Sequence, residues 1–316
     1  MNGKMKWSVG SIAFICIVLL VSPACTAGLG VLNLKKQTIQ SGETGQSSQS
    51  RYWALLFAVG VYEGAPDQDR PSMLEACDDF YDVLLQSPNF WQTSNIHVVK
   101  GSQALLQNLI KELLWLRKNS RNEDYVLVYL TTHGGQLKRN DLPWDLPPKD
   151  EPDGTDELLV MYNGFSKSYG IIWDDLLNFF LSIIRCQGLC LIVDSCYSGG
   201  FNDRPVPLTI GGQKGYTATA ESFANGFVES LSAANRVVLM SCSENQLSFG
   251  SDFSDLLIAG FGGVADTTTW GASGNNDGIV SAEESFRLAD FWLDLLGQQN
   301  PTISDGFPDD FPVTYT

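Results

Sequence analysis

The chain has 316 residues, of which 44% are hydrophobic, and its formal net charge at pH 7 is −16. A chain of this length and composition can bury a full core and form one large domain. So strong an excess of acidic residues argues against binding to nucleic acids or to anionic membrane surfaces, and it suits cationic substrates and divalent ions.

Residues 1–27 have the pattern of an export signal. Lys4 and Lys6 form a basic start, Trp7–Val21 is apolar, and small residues follow. The apolar run is short for a membrane span, so a retained anchor is the alternative to cleavage. Cys25 stands where a lipid could be attached, although in a poor sequence context. We therefore expect an exported protein (secreted, periplasmic or attached to the cell envelope) that touches membrane only through an N-terminal anchor or lipid.

One folded domain is expected after this signal. Residues 28–50 are rich in Ser, Gln and Gly and predict a flexible linker, which leaves 51–316 for the domain. Short apolar runs predict strands over 53–60, 95–100, 125–131, 157–161, 188–194 and 235–241. Amphipathic stretches predict helices over 74–85, 106–118 (with Ser102 as its N-cap), 173–185, 253–263 and 281–297.

The alternation of strands and helices predicts an α/β fold, with a mostly parallel central sheet of about six strands and helices on both faces. Between the last two predicted strands, residues 201–226 are rich in Gly, Thr and Pro and predict a long mobile loop. The cysteines other than Cys196 lie mostly in apolar contexts, so we expect buried free thiols; these are Cys77, Cys186, Cys190 and Cys242, with Cys25 undecided.

Two apolar runs end in residues that carry chemistry. LVYLTTHGG (127–135) delivers His133, and LCLIVDSCYSGG (189–200) delivers Cys196, with glycines following both. The carboxyl edge of a parallel sheet is where ligands bind. A thiol nucleophile with an imidazole base is the minimum requirement for covalent acyl transfer. The chain has only two histidines, and His97 lies within a predicted strand without a partner motif, so we expect it to be structural.

In combination, the H-G-G and D-S-C-x-S-G motifs resemble the caspase–hemoglobinase group of cysteine peptidases, and within it the metacaspases, over most of 51–250. The resemblance implies that Cys196 attacks the scissile carbonyl and forms a thioester, with His133 as acid and base. It also implies that the backbone amides of Gly134 and Cys196 stabilise the oxyanion.

The resemblance extends to substrate preference. Asp194, Thr131 and Asp79 (the second residue of the pair 78–79) match metacaspase pocket positions, which implies protein or peptide substrates cleaved after Arg or Lys. Legumain-like peptidases carry glutamate at the position of Asp194. The alternatives are a legumain-like Asn-specific peptidase, a transpeptidase, and a non-catalytic caspase-like binding module. The presence of both His133 and Cys196 favours catalysis.

The resemblance also suggests calcium as a cofactor. Asp156 in the stretch 153–157, the pair Asp174 and Asp175, and Asp203 match metacaspase ligand positions, and carboxylate oxygens suit Ca²⁺. Paired aspartates are also common at the start of helices, which is the alternative.

A second acidic segment, residues 273–284, mimics an EF-hand loop but has serine at the first ligand position. A turn followed by a capping box, Ser281 with Glu284, explains it better.

Overall fold

The computed structural model describes residues 50–140, 142–146, 149, 154–196, 206–210, 213–219, 224–241, 251–269, 271–297 and 299–316. The predicted signal or anchor, including Cys25, and the predicted linker up to residue 49 lie outside the described residues. Within the described ranges, no helix is both long enough and apolar enough to span a bilayer.

Strands and helices alternate through most of the chain. The strands are β1 (Tyr52–Ala58), β2 (Ile96–Lys100), β3 (Tyr125–Arg139), β4 (Leu142–Pro143), β5 (Glu157–Val160), β6 (Ile171–Trp173), β7 (Gly188–Cys196), β8 (Val206–Ile210), β9 (Gln213–Thr219), β10 (Arg236–Met240), β11 (Ile279–Ser281), β12 (Thr302–Asp305) and β13 (Pro312–Tyr315). The helices are α1 (Ser72–Leu85), α2 (Leu106–Asn119), α3 (Asp174–Ser182), α4 (Ala224–Leu231), α5 (Asp252–Ala259) and α6 (Ala282–Leu296).

The central sheet has the strand order β12-β10-β7-β3-β1-β2. All neighbours in it are parallel except β12, which is antiparallel to β10. The prediction of a mostly parallel sheet of about six strands is therefore confirmed. The sixth strand is β12, however, because the segment predicted over 157–161 forms β5, which pairs antiparallel with the extension of β3.

Helices cover both faces of this sheet, as predicted. Residues of α1, α5 and α6 form one buried layer with alternate strand residues, including Phe80, Phe253 and Leu288. Residues of α2, α3 and α4 form the other, including Leu113, Phe180 and Phe227. Because successive strand residues point to opposite faces, a strand covered on both faces must be apolar throughout. This explains why β1 is an uninterrupted apolar run whose seven residues are all buried.

Two local predictions are wrong. The described parts of 201–226 form the hairpin of β8 and β9 and the start of α4, not a long loop. The hairpin is held against the end of β3, where Arg139 lies opposite Tyr216 and its guanidinium stacks over the Tyr216 ring. Ser102 is not the N-cap of α2, because 101–103 form a separate 3₁₀ turn and the helix begins four residues after Ser102, at Leu106.

The capping box at the start of α6 is confirmed. Glu284 N donates to Ser281 Oγ at 3.1 Å, and Ser281 N donates to Glu284 Oε2 at 3.0 Å. Glu284 Oε1 accepts a third bond, from Asn275 N at 3.0 Å. Both oxygens of the Glu284 carboxylate therefore accept hydrogen bonds from backbone amides, as expected for a turn followed by a capping box.

The described cysteines outside the strand-end motif are free. Cys77 and Cys190 are buried and Cys186 is half-buried. Burial raises the pKa of the Cys77 thiol to about 12 and that of Cys186 to about 11. Both are therefore protonated and unreactive at neutral pH. Cys242 lies outside the described residues.

Candidate active site

The two strand-end motifs lie side by side. In the parallel ladder of β3 and β7, His133 is the register partner of Cys196, and Thr131 is the register partner of Asp194. Adjacent strands run about 4.8 Å apart. The Cys196 side chain lies outside the described residues, but its backbone is at the level of His133 on the neighbouring strand.

The predicted strand over 125–131 would have ended before His133. In the structure β3 continues to Arg139, so His133 lies within the strand. β3 has 15 residues and exchanges partners along its length: its first part pairs with β1 and β7, and its last part with β5 and β9. β1 ends at Ala58, and the chain turns away at Gly60, whose φ is +61°. A Cβ there would lie 2.6 Å from Leu74 Cγ, so any other residue would have to displace the Leu74 side chain, which favours glycine at this turn.

The imidazole of His133 is buried and has a defined tautomer. Its Nε2 lies 2.8 Å from the backbone oxygen of Gln68. A carbonyl oxygen can only accept, so Nε2 carries the proton and Nδ1 carries the lone pair. Burial lowers the pKa of His133 to about 4; the Gln68 carbonyl opposes this shift and the Arg70 charge adds to it. The ring is therefore neutral at pH 7 and can accept a proton at Nδ1.

Two aromatic rings enclose this imidazole. Tyr62 stacks on it with centroids 4.8 Å apart and an interplanar angle of 17°. Phe165 meets it edge-on at 5.9 Å. Tyr62, Phe165 and Gln68 are site residues that the sequence analysis missed, since none belongs to a motif that marks it.

Asp194 lies two residues before Cys196 on β7, where it is buried and takes part in a series of hydrogen bonds. Ser254 Oγ of α5 donates to Asp194 Oδ2, and Tyr129 O–H donates to Ser254 Oγ at 2.7 Å. Burial raises the pKa of Asp194 to about 6, against hydrogen bonds from Ser254 and Ser241 that lower it. Ser254 was also missed by the sequence analysis, because it lies 60 residues from Asp194.

Two of the three predicted pocket residues are buried side by side, and the third is exposed on a helix. Thr131 is buried opposite Asp194, so these two lie together. Asp79 is exposed on α1, and its charge acts on Asp255, the neighbour of Ser254. Burial raises the pKa of Asp255, and the charges of Asp252, Asp79 and Glu75 raise it further.

The predicted oxyanion residue Gly134 is buried in β3, opposite Leu159 of β5. This register places it directly after His133 on the stretch where β3 leaves the central sheet. Its part in stabilising an oxyanion remains a prediction.

The two strand-end motifs of this site lie in a part of the chain that matches a known protein family. Residues 75–205 match the family model described as metacaspase, peptidase C14 domain. That range contains His133, Asp194 and Cys196. This part of the chain is therefore similar to a metacaspase-type, caspase-like peptidase domain.

The chain is also similar to curated fungal proteins that are named metacaspases. Metacaspase-1 of Candida albicans is 37% identical over 31% of this chain and 22% of its own length. Metacaspase-1 of Saccharomyces cerevisiae is 26% identical over 86% of this chain and 60% of its own length. The chain thus spans less than two thirds of the curated relatives it matches.

A solved structure extends the likeness in fold beyond residues 75–205. The crystal structure of protein GSU0716 from Geobacter sulfurreducens has a TM-score of 0.53, 16% identity, and coverage of 84% of this chain and 99% of that one. This likeness concerns the fold alone. It agrees with the α/β architecture described above, in which helices cover both faces of a mostly parallel sheet.

Three of the four predicted calcium ligands lie at one end of the β5–β6 hairpin. Leu158 pairs with Trp173, so Asp156, just before β5, and Asp174 and Asp175, just after β6, flank the same end. Asp156 Oδ2 accepts from Leu146 N at 2.5 Å, and Asp174 Oδ2 accepts from Ser230 Oγ at 2.6 Å. Among the described residues, no three His, Cys, Asp or Glu side chains are grouped to hold a metal ion. Asp203 lies outside the described residues.

Proposed function

We propose that this chain is a cysteine endopeptidase that cleaves after Arg or Lys through a thioester on Cys196. The observation that carries the proposal is the register of β3 and β7, which brings a neutral, buried imidazole level with the Cys196 backbone on the adjacent strand. The match to a metacaspase domain supports the peptidase class.

The proposed reaction has two steps. The Cys196 sulfur attacks the scissile carbonyl, its proton passes to His133 Nδ1, and the imidazolium gives that proton to the leaving amine as the C–N bond breaks. Water then attacks the thioester, giving one proton to His133, and collapse releases the carboxylic acid and restores the thiol. Throughout, the Gln68 carbonyl holds the Nε2 proton, which keeps Nδ1 as the nitrogen that exchanges protons.

The electrostatics around Asp194 support a basic residue at P1. With a pKa of about 6, its carboxyl is mainly ionised at pH 7 although it is buried. A buried anion is costly unless it is paired with a cation, so a guanidinium or ammonium group of the substrate would find a favourable site. The exposed acidic residues of α1 and α5 near Ser254 attract the same charge, and the chain as a whole carries −16.

A peptide library that varies only at P1 tests this proposal. Purified wild-type protein should cleave Arg and Lys members at least about 100-fold faster than Asn or Asp members, as expected when one charged partner is exchanged for a neutral or repelling one. The products should be free acids. Cleavage after Asn instead would indicate legumain-like specificity, and transfer of the acyl group to an added amine would indicate a transpeptidase. Saturable peptide binding without any turnover would indicate a binding module.

We further propose that calcium binds at the hairpin end that carries Asp156, Asp174 and Asp175. The described carboxylates do not fit a calcium ion by themselves, because Ca²⁺ takes six to eight oxygen ligands and these residues do not form a group of three. The proposal therefore depends on Asp203 as a further ligand, and no catalytic step is assigned to the ion.

Thermal unfolding with and without calcium tests this second proposal. Saturating Ca²⁺ should raise the unfolding midpoint of the wild type, because a ligand that binds only the folded state stabilises it; at 100 times Kd the gain is about 2.7 kcal/mol. The Asp203→Asn variant should lose most of this shift, while Asp277→Asn, in the EF-hand-like loop, should keep it. An equal shift in both variants, or none in the wild type, would contradict the proposal.

A further inference from the structure

The backbone amide of His133 lies where β3 no longer has β1 beside it. The ladder between them ends with Val59 N donating to Thr131 O at 2.9 Å. Residues two apart in a strand direct their amides to the same edge, so the His133 N–H points to the side that β1 has left. There the Tyr62 hydroxyl accepts it at 2.9 Å. A side chain thus replaces the missing backbone partner of a buried amide.

The direction of every bond in this series is determined by the atoms at its ends. Thr132 Oγ1 donates to Val160 O, which can only accept. The Thr132 hydroxyl must then accept from Tyr62 O–H, 3.0 Å away. The Tyr62 oxygen is left to accept from His133 N–H. The series therefore runs from the His133 amide through two hydroxyls to the Val160 carbonyl, without a conflict of donors.

The same tyrosine also holds the imidazole ring and the segment that binds Nε2. Its ring stacks on His133 with centroids 4.8 Å apart, and Phe165 packs edge-on against both rings. Tyr62 N donates to Asp69 Oδ1 at 2.8 Å, which closes the turn that carries the Gln68 carbonyl. The backbone, ring plane and tautomer of His133 therefore depend on one short segment after β1.

From these contacts we propose that Tyr62 is the positioning residue of His133: its hydroxyl holds the backbone and its ring holds the imidazole plane, so that Nδ1 keeps its direction. This inference rests on the proposed function, since it assigns Tyr62 a part in the same site. A tyrosine that merely filled the core would need its ring but not its hydroxyl.

Imidazole NMR on the full chain tests the inference without requiring turnover. With only two histidines, the His97→Gln variant assigns the His133 signals directly. In the wild type, the ¹⁵N shifts should report a neutral ring protonated at Nε2 from about pH 5 to 8. Tyr62→Phe, which keeps the ring and removes the hydroxyl, should broaden or split these signals through exchange between ring orientations. Thr132→Val, which removes the next hydroxyl, should have the same effect to a smaller degree.

Kinetics give the second readout. On an Arg or Lys peptide, Tyr62→Phe should lower kcat about tenfold and change KM by less than about twofold, because it disturbs a group that acts in the transition state rather than in binding. Wild-type NMR spectra together with wild-type kcat in Tyr62→Phe would overturn the inference. If the wild type cleaves no peptide, the proposed function fails, and the NMR comparison still decides whether Tyr62 orients His133.

Discussion

Cys196→Ala should abolish cleavage of basic-residue peptides, with a loss in kcat/KM of at least about 10³-fold, since removing the nucleophile of a thiol or serine peptidase leaves only transition-state binding. His133→Ala should cost a similar factor, because the thiol then lacks the group that takes its proton. The two losses should not add in the double variant, because the residues act as one unit. Initial rates and active-site titration with a thiol-reactive peptide measure these effects.

The chain offers a matched control for each variant. Cys186→Ser removes another thiol, half-buried and protonated at neutral pH, and should keep wild-type activity. His97→Gln removes the other histidine, which contacts Glu112 at 2.5 Å and stacks on Trp115 away from the β3–β7 pair, and should likewise remain active. A loss in Cys196→Ala of much less than about 10³-fold, or loss of activity in a folded Cys186→Ser variant, would mean that the nucleophile lies elsewhere.

The central pair could be predicted from sequence because two strong signals coincide. Uninterrupted apolar runs mark strands that are buried on both faces, and the H-G-G and D-S-C motifs follow two of them. Parallel neighbours then bring His133 and Cys196 to one level. β12 gave no such signal, since it lies at the sheet edge, alternates between half-buried and exposed, and is antiparallel.

The surroundings of the pair could not be predicted, for a physical reason. The group that sets the His133 tautomer is a backbone carbonyl, at Gln68, and any residue supplies one. Tyr62 acts because β1 ends before β3 does, which is a property of tertiary pairing. Ser254 reaches Asp194 from another helix. Such contacts depend on where the elements pack rather than on local residue patterns.

The largest effect on substrate selection is expected at Asp194, and it should depend on pH. kcat/KM for Arg or Lys peptides should rise about tenfold per pH unit below the Asp194 pKa and level off above it, because only the ionised carboxyl pairs with the P1 cation. That pKa is raised to about 6. His133, with a pKa lowered to about 4, is already neutral there and does not produce this rise. Asp194→Asn should remove this rise of kcat/KM on the acid side of the pH profile (the acid limb). It should also lower kcat/KM at pH 7 by about 100-fold or more.

The free energy of unfolding should fall as pH rises through the Asp194 pKa, whereas kcat/KM should rise. This difference separates a role of Asp194 in substrate binding from a role in stability. The folded-state pKa of Asp194 lies above its unfolded value of 3.8, so the fold is favoured while the carboxyl is protonated and loses that advantage as pH rises through about 6. Converted at 1.36 kcal/mol per unit, the loss at neutral pH is about 3 kcal/mol. Asp194→Asn lacks this charge, so at pH 7 its free energy of unfolding in urea should exceed the wild-type value by up to about 3 kcal/mol.

Ser254→Ala should shift the pH dependence without abolishing it, and Asp78→Asn serves as the control for removing a carboxylate elsewhere. Removing the Ser254 hydroxyl takes away a bond that favours the Asp194 carboxylate, so the acid limb should move to higher pH while the plateau remains. Asp78 is exposed and pairs with Lys100 at 2.5 Å, so Asp78→Asn should leave both the limb and the plateau unchanged. An acid limb that persists in Asp194→Asn, or one that stays in place in Ser254→Ala, would show that another group controls recognition of the basic residue.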